Sequence, residues 1–417
     1  ITLGGTLSGT SSVTSVTAVG NNYTVLIDVP DAGNGTLNIS VGTGIVDGSG
    51  NAYAGGTSGN YTIDNTAPVA PTVGGISSGT FNTNQTFTIT SEGGASIEYS
   101  VDNGSNWLAY SVGVVLSAEG TYEVLGRATD SLGNGPGSSS TLITVEIDKT
   151  LPTATITRDD ASPTNADVVH YSVDFDEDVT GFTTGDISVT EDLAGTVGVA
   201  LSGGPRNYTV TLTPSSGSDN GTISIDVGTG IVDAGNNAYA GGTSPSYVIN
   251  NTAPTVALTY SSNPTKAGVM TITATYSSAM VGTPNITINQ QGTSDISGVA
   301  MSGGATVWTY DYTVVSESSP TYLDGVATVS LSTIADASSN NAQAPTNTSF
   351  TIDTKVPTAT ITLDDSTPTN ADTVNFSVDF NEAVTGFTTG DITLGGTLSG
   401  TSSVTSVTDE GGNAYTV

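Results

Sequence analysis

Residues 168–175 read VVHYSVDF, and the order of side chains within them decides the fold. Val169, Tyr171, Val173 and Phe175 share one face while His170, Ser172 and Asp174 take the other. That two-residue period is the signature of a strand with one buried side. The stretch VNFSVDF at 374–380 repeats it, with Val374, Phe376, Val378 and Phe380 inward. Farther on, Tyr208, Val210 and Leu212 alternate with Thr209 and Thr211. Asn34-Gly35, Asn220-Gly221 and Asp324-Gly325 stand between strand-like runs, where the left-handed backbone of a tight hairpin favours such pairs. Seven or so short strands per unit predict an antiparallel sandwich of the immunoglobulin type.

Composition agrees. Of 417 residues, 35% are hydrophobic, 11% charged and 6% aromatic, with 52 glycines. Helix-favouring Lys, Glu, Gln and Arg are scarce, whereas Thr, Val, Ile and Tyr favour strands. Six Lys plus Arg face 39 Asp plus Glu, a formal net charge of −33. Such a field repels phosphate backbones and anionic membrane surfaces, so neither nucleic acid nor lipid is an expected partner. Either a salty exterior screens the acids or divalent cations neutralise some of them. With no cysteine, disulfides and thiolate metal sites are impossible. No apolar run approaches the ~18–20 residues of a membrane-spanning helix, and no signal peptide is visible.

A short punctuation divides the chain: DNTAP at 64–68, DKTLP at 148–152, NNTAP at 250–254 and DTKVP at 353–357. The closing prolines stand 84, 102 and 103 residues apart, a spacing that suits tandem sandwiches joined by stiff, Pro-containing linkers. The predicted organisation is the C-terminal part of a domain at 1–68, a shorter and different subtype at 69–152, whole domains at 153–254 and 255–357, and the N-terminal part of a domain at 358–417. Residues 1–17 and 392–408 are identical, ITLGGTLSGTSSVTSVT, which gives a super-period of 391 residues and places both ends within a domain. Residues 1–68 and 358–417 are therefore expected to lack partners unless an adjoining copy supplies them.

SVDFDEDVTGFTTGDI at 172–187, the D-x-x-G-N loops and the D-x-T-x-P joints resemble bacterial immunoglobulin-like repeats from the stalk of large, repetitive surface adhesins. The resemblance covers essentially the whole chain. It implies an all-β tandem array, a secreted protein at a cell surface or in extracellular matrix, and calcium ions that stiffen the joints. Ca²⁺ takes six to eight oxygen ligands from carboxylates, carbonyls and water. The expected ligands at the second joint are Asp130, Asp148 and Asp159 or Asp160. At the fourth they are Asp336, Asp353 and Asp364 or Asp365. The first joint offers Asp47 and Asp64 with no acidic pair following, and the third offers Asp233 with Asn250 in place of the linker Asp. Tighter sites are therefore expected at the second and fourth joints. The competing reading is that these acids bond their own loops, as Asp and Asn do in turns.

Enzyme chemistry finds little support. The one histidine, His170, has Asn375 as its counterpart, and DFDEDV at 174–179 becomes DFNEAV at 379–384, so neither a general base nor a carboxylate pair recurs. Trp308 occupies the place of Tyr208 on an inward face and reads as core; Trp107 with Tyr110 is the weak choice for a glycan platform. The function expected is mechanical, a stalk that carries a binding tip or builds matrix, each domain adding ~35–40 Å. Its partners are adjoining copies of the array and surface or matrix glycans. Alternatives are a self-assembling filament or surface-layer subunit whose domains are completed between copies, and a spacer or glycan-binding region of a secreted enzyme.

Overall fold

The computed structural model describes residues 1–31, 33–215, 220–290, 292, 295–317 and 323–417. It is all-β, a tandem series of sandwich-like domains; the only helical turns among the described residues are two three-residue 3₁₀ turns, Thr184–Asp186 and Thr389–Asp391. Each turn is held by a capping box, Thr183 with Asp186 and Thr388 with Asp391. The described chain falls into two compact units, one built mainly from residues 1–161, 167–215 and 222–247, the other mainly from 248–417.

In the first unit, Val169–Phe175 is buried in strict alternation, as its sequence requires. Its sheet runs Ala154–Arg158, Val169–Phe175, Asn207–Pro214, Val197–Gly203, all antiparallel. A second sheet of Ile187–Glu191, Gly221–Val227 and Gly242–Thr243 covers it. Tyr171 lies fully buried between them, its hydroxyl donating to the carbonyls of Ile223 (2.9 Å) and Pro245 (3.0 Å), its ring edge-on to Tyr247. The buried tyrosine is thus a polar tie between sheets as well as apolar fill.

The shorter domain in the same unit has a five-stranded sheet ordered Leu108–Ala109, Ser96–Ser100, Gly120–Thr129, Ile143–Ile147, Gly79–Phe81, with the last pair parallel. Val114–Leu116, Gln85–Thr90 and Thr72–Gly74 face it. Phe87, Ile89, Leu116, Val124, Val145 and Ile147 form the core between the sheets. Residues 1–68 carry a sheet in which Gly35–Val41 pairs with Thr2–Gly4, Gly56–Thr57 and Tyr61–Ile63, and a separate hairpin of Ser12–Val19 with Asn22–Asp28.

The second unit holds a complete sandwich. Val256–Tyr260, Gly268–Tyr276, Val307–Val314 and Ser302–Gly304 form one sheet, and Ile296–Ala300, Asn285–Asn289, Gly325–Leu331 and Ser349–Ile352 the other. Trp308, opposite Ala274 in the ladder, belongs to its core as the alternation predicted. Residues 358–417 form a single four-stranded sheet, Ala359–Leu363, Phe376–Phe380, Ala414–Thr416, Thr408–Gly411. An open apolar groove of about 530 Å³ lies along it, lined by Ile361, Phe376, Val378, Phe380 and Phe387 among others.

One reading needs correction. Asn34-Gly35, Asn220-Gly221 and Asp324-Gly325 do not turn hairpins; each glycine opens a strand that lies in a different sheet from the strand before it. The glycine is still required, since Gly35 and Gly325 have φ of 150° and 140°. The Asn or Asp before it is freed to bind the linker. Asn34 Oδ1 accepts from Asn65 N (2.8 Å), Asn220 Oδ1 from Asn251 N (2.6 Å) and Asp324 Oδ2 from Thr354 N (2.9 Å).

Candidate metal centre and the loops at the domain joints

Four five-residue loops share one construction: Asp47–Asn51, Asp130–Asn134, Asp233–Asn237 and Asp336–Asn340. The Asp N–H donates to the Asn carbonyl at 3.0 to 3.2 Å in all four. The fourth residue takes a positive φ, at Gly50 (82°), Gly133 (95°), Asn236 (67°) and Ser339 (72°). That geometry turns the Asn back, so that its N–H and side-chain amide both reach the Asp carboxylate. In the exposed loops these donors set the charge state. The Asn51 amide and loop N–H groups hold Asp47 below its ordinary value; at Asp130 partial desolvation pushes upward, but the Asn134 amide and loop N–H groups outweigh it.

The same asparagines clamp the linkers. Asn134 Nδ2 donates to the carbonyl of Asp64 (2.8 Å), Asn237 Nδ2 to that of Asp148 (2.9 Å) and Asn340 Nδ2 to that of Asn250 (2.7 Å). Each of these three loops therefore meets the linker that precedes its own domain. The expected grouping joined it to the linker that follows, Asp130 with Asp148, Asp336 with Asp353, Asp47 with Asp64 and Asp233 with Asn250. Chain order suggested that grouping. The topology reverses it, because the loop returns to the pole at which the chain entered the sandwich.

The remaining predicted ligands lie apart from these clusters. Asp160 Oδ2 accepts from His170 N (2.7 Å) and contacts His170 Nδ1 (3.0 Å), and Asp159 accepts from Ser172 Oγ (3.0 Å). Asp365 accepts from Asn375 N (2.7 Å) and Asp364 from Ser377 Oγ (2.6 Å). These four acids tie the bend between the first two strands of their own domains, as the turn reading has it. Asp353 anchors its linker through its N–H to Thr265 O (2.9 Å).

Among the described residues, one group of three acids could hold a metal: Asp148, Glu177 and Asp233, with one oxygen from each within 4.8 Å of the others. Two ligands ~2.4 Å from a shared Ca²⁺ can be no more than ~4.8 Å apart, so the spacing fits a common ion. The donors are all hard oxygens, suited to calcium or magnesium rather than to a thiophilic metal. Asp233 is buried and the other two are half-buried. Burial, then the charges of Asp233 and Asp148, push the Glu177 carboxyl above its usual range, while Arg206 pulls the other way. Sequence reasoning named Asp148 and Asp233 but missed Glu177. The signal was present in DFDEDV, whose counterpart DFNEAV keeps this glutamate as Glu382.

The third joint is a neutral version of the same place. Asn250 Nδ2 reaches Asp336 Oδ2 (3.4 Å) and Ser338 Oγ (3.2 Å), so an amide meets the loop carboxylate directly. The register that sets Tyr276 where the preceding domain has Phe175 puts Ser278 in the place of Glu177. The glycan choice is also altered: the Arg127 guanidinium stacks 4.2 Å from the Trp107 ring centroid and bonds Glu98 at 2.7 Å. One face of that platform is therefore taken.

Residues 148–249 and 353–412 match the family described as bacterial Ig-like domain. The chain is also similar to solved structures. The Escherichia coli adhesin FdeC is 12% identical over 77% of this chain and 93% of that one, with a TM-score of 0.35. A tetra-tandem repeat from the extending region of a large adhesion protein is 18% identical over 82% and 91%, TM-score 0.29. Domains 4–9 of the surface layer protein SbsC are 13% identical over 93% and 79%, TM-score 0.18. No curated protein matches.

Proposed function

We propose that this chain is a stretch of an extracellular stalk, secreted to a cell surface or matrix, whose tandem Ig-like domains divide at residues 68, 152, 254 and 357. Its work is mechanical and not catalytic: it holds a binding tip away from a surface or builds matrix, beside adjoining copies of the array. The observation that carries this is the repeated joint construction, in which a loop Asn grips the preceding linker's carbonyl at three successive joints. A chain whose links are each clamped to the next body transmits tension instead of swivelling.

Calcium completes the clamp where carboxylates converge. Asp148, Glu177 and Asp233 supply three anionic oxygens at the second joint, and the ion offsets their mutual repulsion. The fourth joint, with Asp353 and Glu382, ranks next; the first, with Asp64 and Asp130, and the third, with Asn250, bind more weakly. Isothermal titration of calcium into the chain, repeated on Asp148→Asn, tests this. The expected result is a tightest site that Asp148→Asn weakens at least ~10-fold. Absence of calcium binding, with scattering profiles identical in chelator and in calcium, overturns the stiffening role.

A further inference from the structure

Resting on the tandem-domain stalk reading, we propose that residues 153–254 yield first when the chain is pulled, a reserve of length that opens while residues 69–152 and 255–357 stay folded. The reason lies in how the two ends of each domain are fastened to each other. Tension enters a domain through its first segment and leaves through its last. Where those segments run parallel and bond each other, opposite pulls slide one along the other and load every bond between them at once. An antiparallel pair drawn apart at one end opens a bond at a time. Forced unfolding follows the barrier to that first separation and not the total stability, so the parallel patch sets the order.

The three patches differ. In residues 69–152, Gly79–Phe81 lies parallel to Val145–Ile147 over three residue pairs. Asp148 N continues that patch to Phe81 O (3.0 Å), and Thr80 Oγ1 ties it to Glu146 (3.0 Å). In residues 255–357 two parallel bridges act together, Thr265 with Ile352 and Ala257 with Thr346. At the first, Thr265 N donates to Thr351 O (2.8 Å) and Asp353 N to Thr265 O (2.9 Å). Around the second, Thr346 N donates to Val256 O (3.0 Å), Leu258 N to Thr346 O (3.1 Å) and Gln343 N to Pro254 O (2.8 Å). Residues 153–254 keep only the counterpart of the first, Thr164 with Ile249. There Thr164 N donates to Val248 O (2.9 Å) and Asn250 N to Thr164 O (2.8 Å). Among the described residues, no backbone bond joins the opening strand Ala154–Arg158 to 241–247.

The sequence accounts for the difference. With Asn237 matched to Asn340 and Tyr247 to Phe350, Pro345 stands where the other domain has Gly242. Gly242–Thr243 pairs with Asp226 and Val227 in the second sheet. Pro345 has no N–H to give such a ladder, and Thr346 beside it bonds Val256 and Leu258 instead. Side-chain ties do not redress the balance, because both domains have them. Arg158 Nη1 donates to Ser246 O (2.8 Å) and Asp160 N to Tyr247 Oη (2.9 Å) in one. In the other, Tyr260 Oη donates to Asn347 O (2.6 Å) and Asn347 Nδ2 to Leu258 O (2.8 Å).

The test is single-molecule force spectroscopy on the 417-residue chain, held by handles at its two ends. At ~3.3–3.6 Å per residue, residues 153–254 and 255–357 each release ~340–370 Å of contour, residues 69–152 ~280–300 Å, and 1–68 and 358–417 less than ~250 Å. Length therefore sorts the events. Of the two longest, one is expected at roughly half the force of the other, since two backbone bonds are loaded against five. The chain has no cysteine, so an introduced pair marks one domain alone. Thr164→Cys with Ile249→Cys, registered neighbours, locks that patch when oxidised and should abolish the low-force long event. Thr265→Cys with Ile352→Cys should abolish the high-force one. Reduction restores the missing event in either variant, which shows that it folds. Asp148, Glu177 and Asp233 lie outside the patch at Thr164, so the order is expected in chelator as well. Equal forces for the two long events, a ~280–300 Å event that precedes both, or loss of the high-force event on oxidising the 164–249 pair would each overturn the inference and leave the stalk reading standing. A chain that stretches as one continuous coil, with no separate events, sinks both.

Discussion

Glu177→Gln separates a cation site from a hydrogen-bonded acidic turn, because the two readings give opposite signs in the absence of metal. The three carboxylate oxygens lie within 4.8 Å of one another. Two unit charges at that distance repel by ~3.5 kcal/mol at an effective dielectric of about 20. Solvent at the half-buried Asp148 and Glu177, and the charge of Arg206, cut this to a net ~1–2 kcal/mol. Neutralising Glu177 removes two of the three repulsions, so in chelator the substituted domain should melt higher, by ~4–8 °C per kcal/mol for a domain of this size. In calcium the sign reverses. An ion at 100 times its dissociation constant stabilises the parent by ~2.7 kcal/mol, and a site that has lost one of three anionic ligands forfeits most of that. Differential scanning calorimetry of the whole chain, following the transition that moves with calcium, reads both effects. The upward shift of Glu177 adds a pH signature. A carboxyl raised in the folded state stabilises the metal-free fold below its unfolded pKa, and that contribution is lost as pH rises through the folded value. Calcium must displace the proton, so affinity falls as pH drops through that raised value. If Glu177→Gln lowers the melting temperature equally in chelator and in calcium, the repulsion argument is wrong and the glutamate serves packing or Arg206 alone.

Three further outcomes follow from named contacts. Asn250→Asp at the third joint sets a carboxylate against the buried Asp336, so it should destabilise the chain by ~1–2 kcal/mol in chelator and recover in calcium, read as a chelator-dependent melting shift. Tyr171→Phe removes the hydroxyl that ties its strand to the carbonyls of Ile223 and Pro245 on the facing side of the core; urea denaturation should show ~1–3 kcal/mol lost with the slope unchanged. Asp102 is held at about 2 by the Ser100 hydroxyl and then by the Asn106 side chain and N–H. Its depressed value means the turn is held above the unfolded carboxyl range near pH 4 and loosens as pH falls through about 2; faster exchange of the Asn106 amide over that window measures it, and Asp102→Asn should abolish the transition.

Strand faces were legible because a two-residue period needs only local order. Val169, Tyr171, Val173 and Phe175 are buried as their alternation demanded, and Trp308 is core for the same reason. Joint chemistry was legible only in part. Asp148 and Asp233 were visible as recurring acids, yet their meeting, and the part played by Glu177, depended on which pole of the sandwich each loop occupies. Asn34, Asn220 and Asp324 were misread as hairpin residues because Asn-Gly and Asp-Gly report a local backbone preference. That preference is the same whether the chain turns back or crosses to the other sheet.

The duplicated segment marks the boundary between the two kinds of information. ITLGGTLSGTSSVTSVT is the same string at 1–17 and 392–408, so every local propensity in it is the same. By itself the sequence determined that this is strand-forming material within a repeated domain. Thr2–Gly4 pairs with Asn38–Ser40 and is a strand, whereas 392–394 pair with no strand among the described residues. A strand's backbone hydrogen bonds belong to its neighbour, so whether a segment becomes one is decided by what the tertiary structure sets next to it.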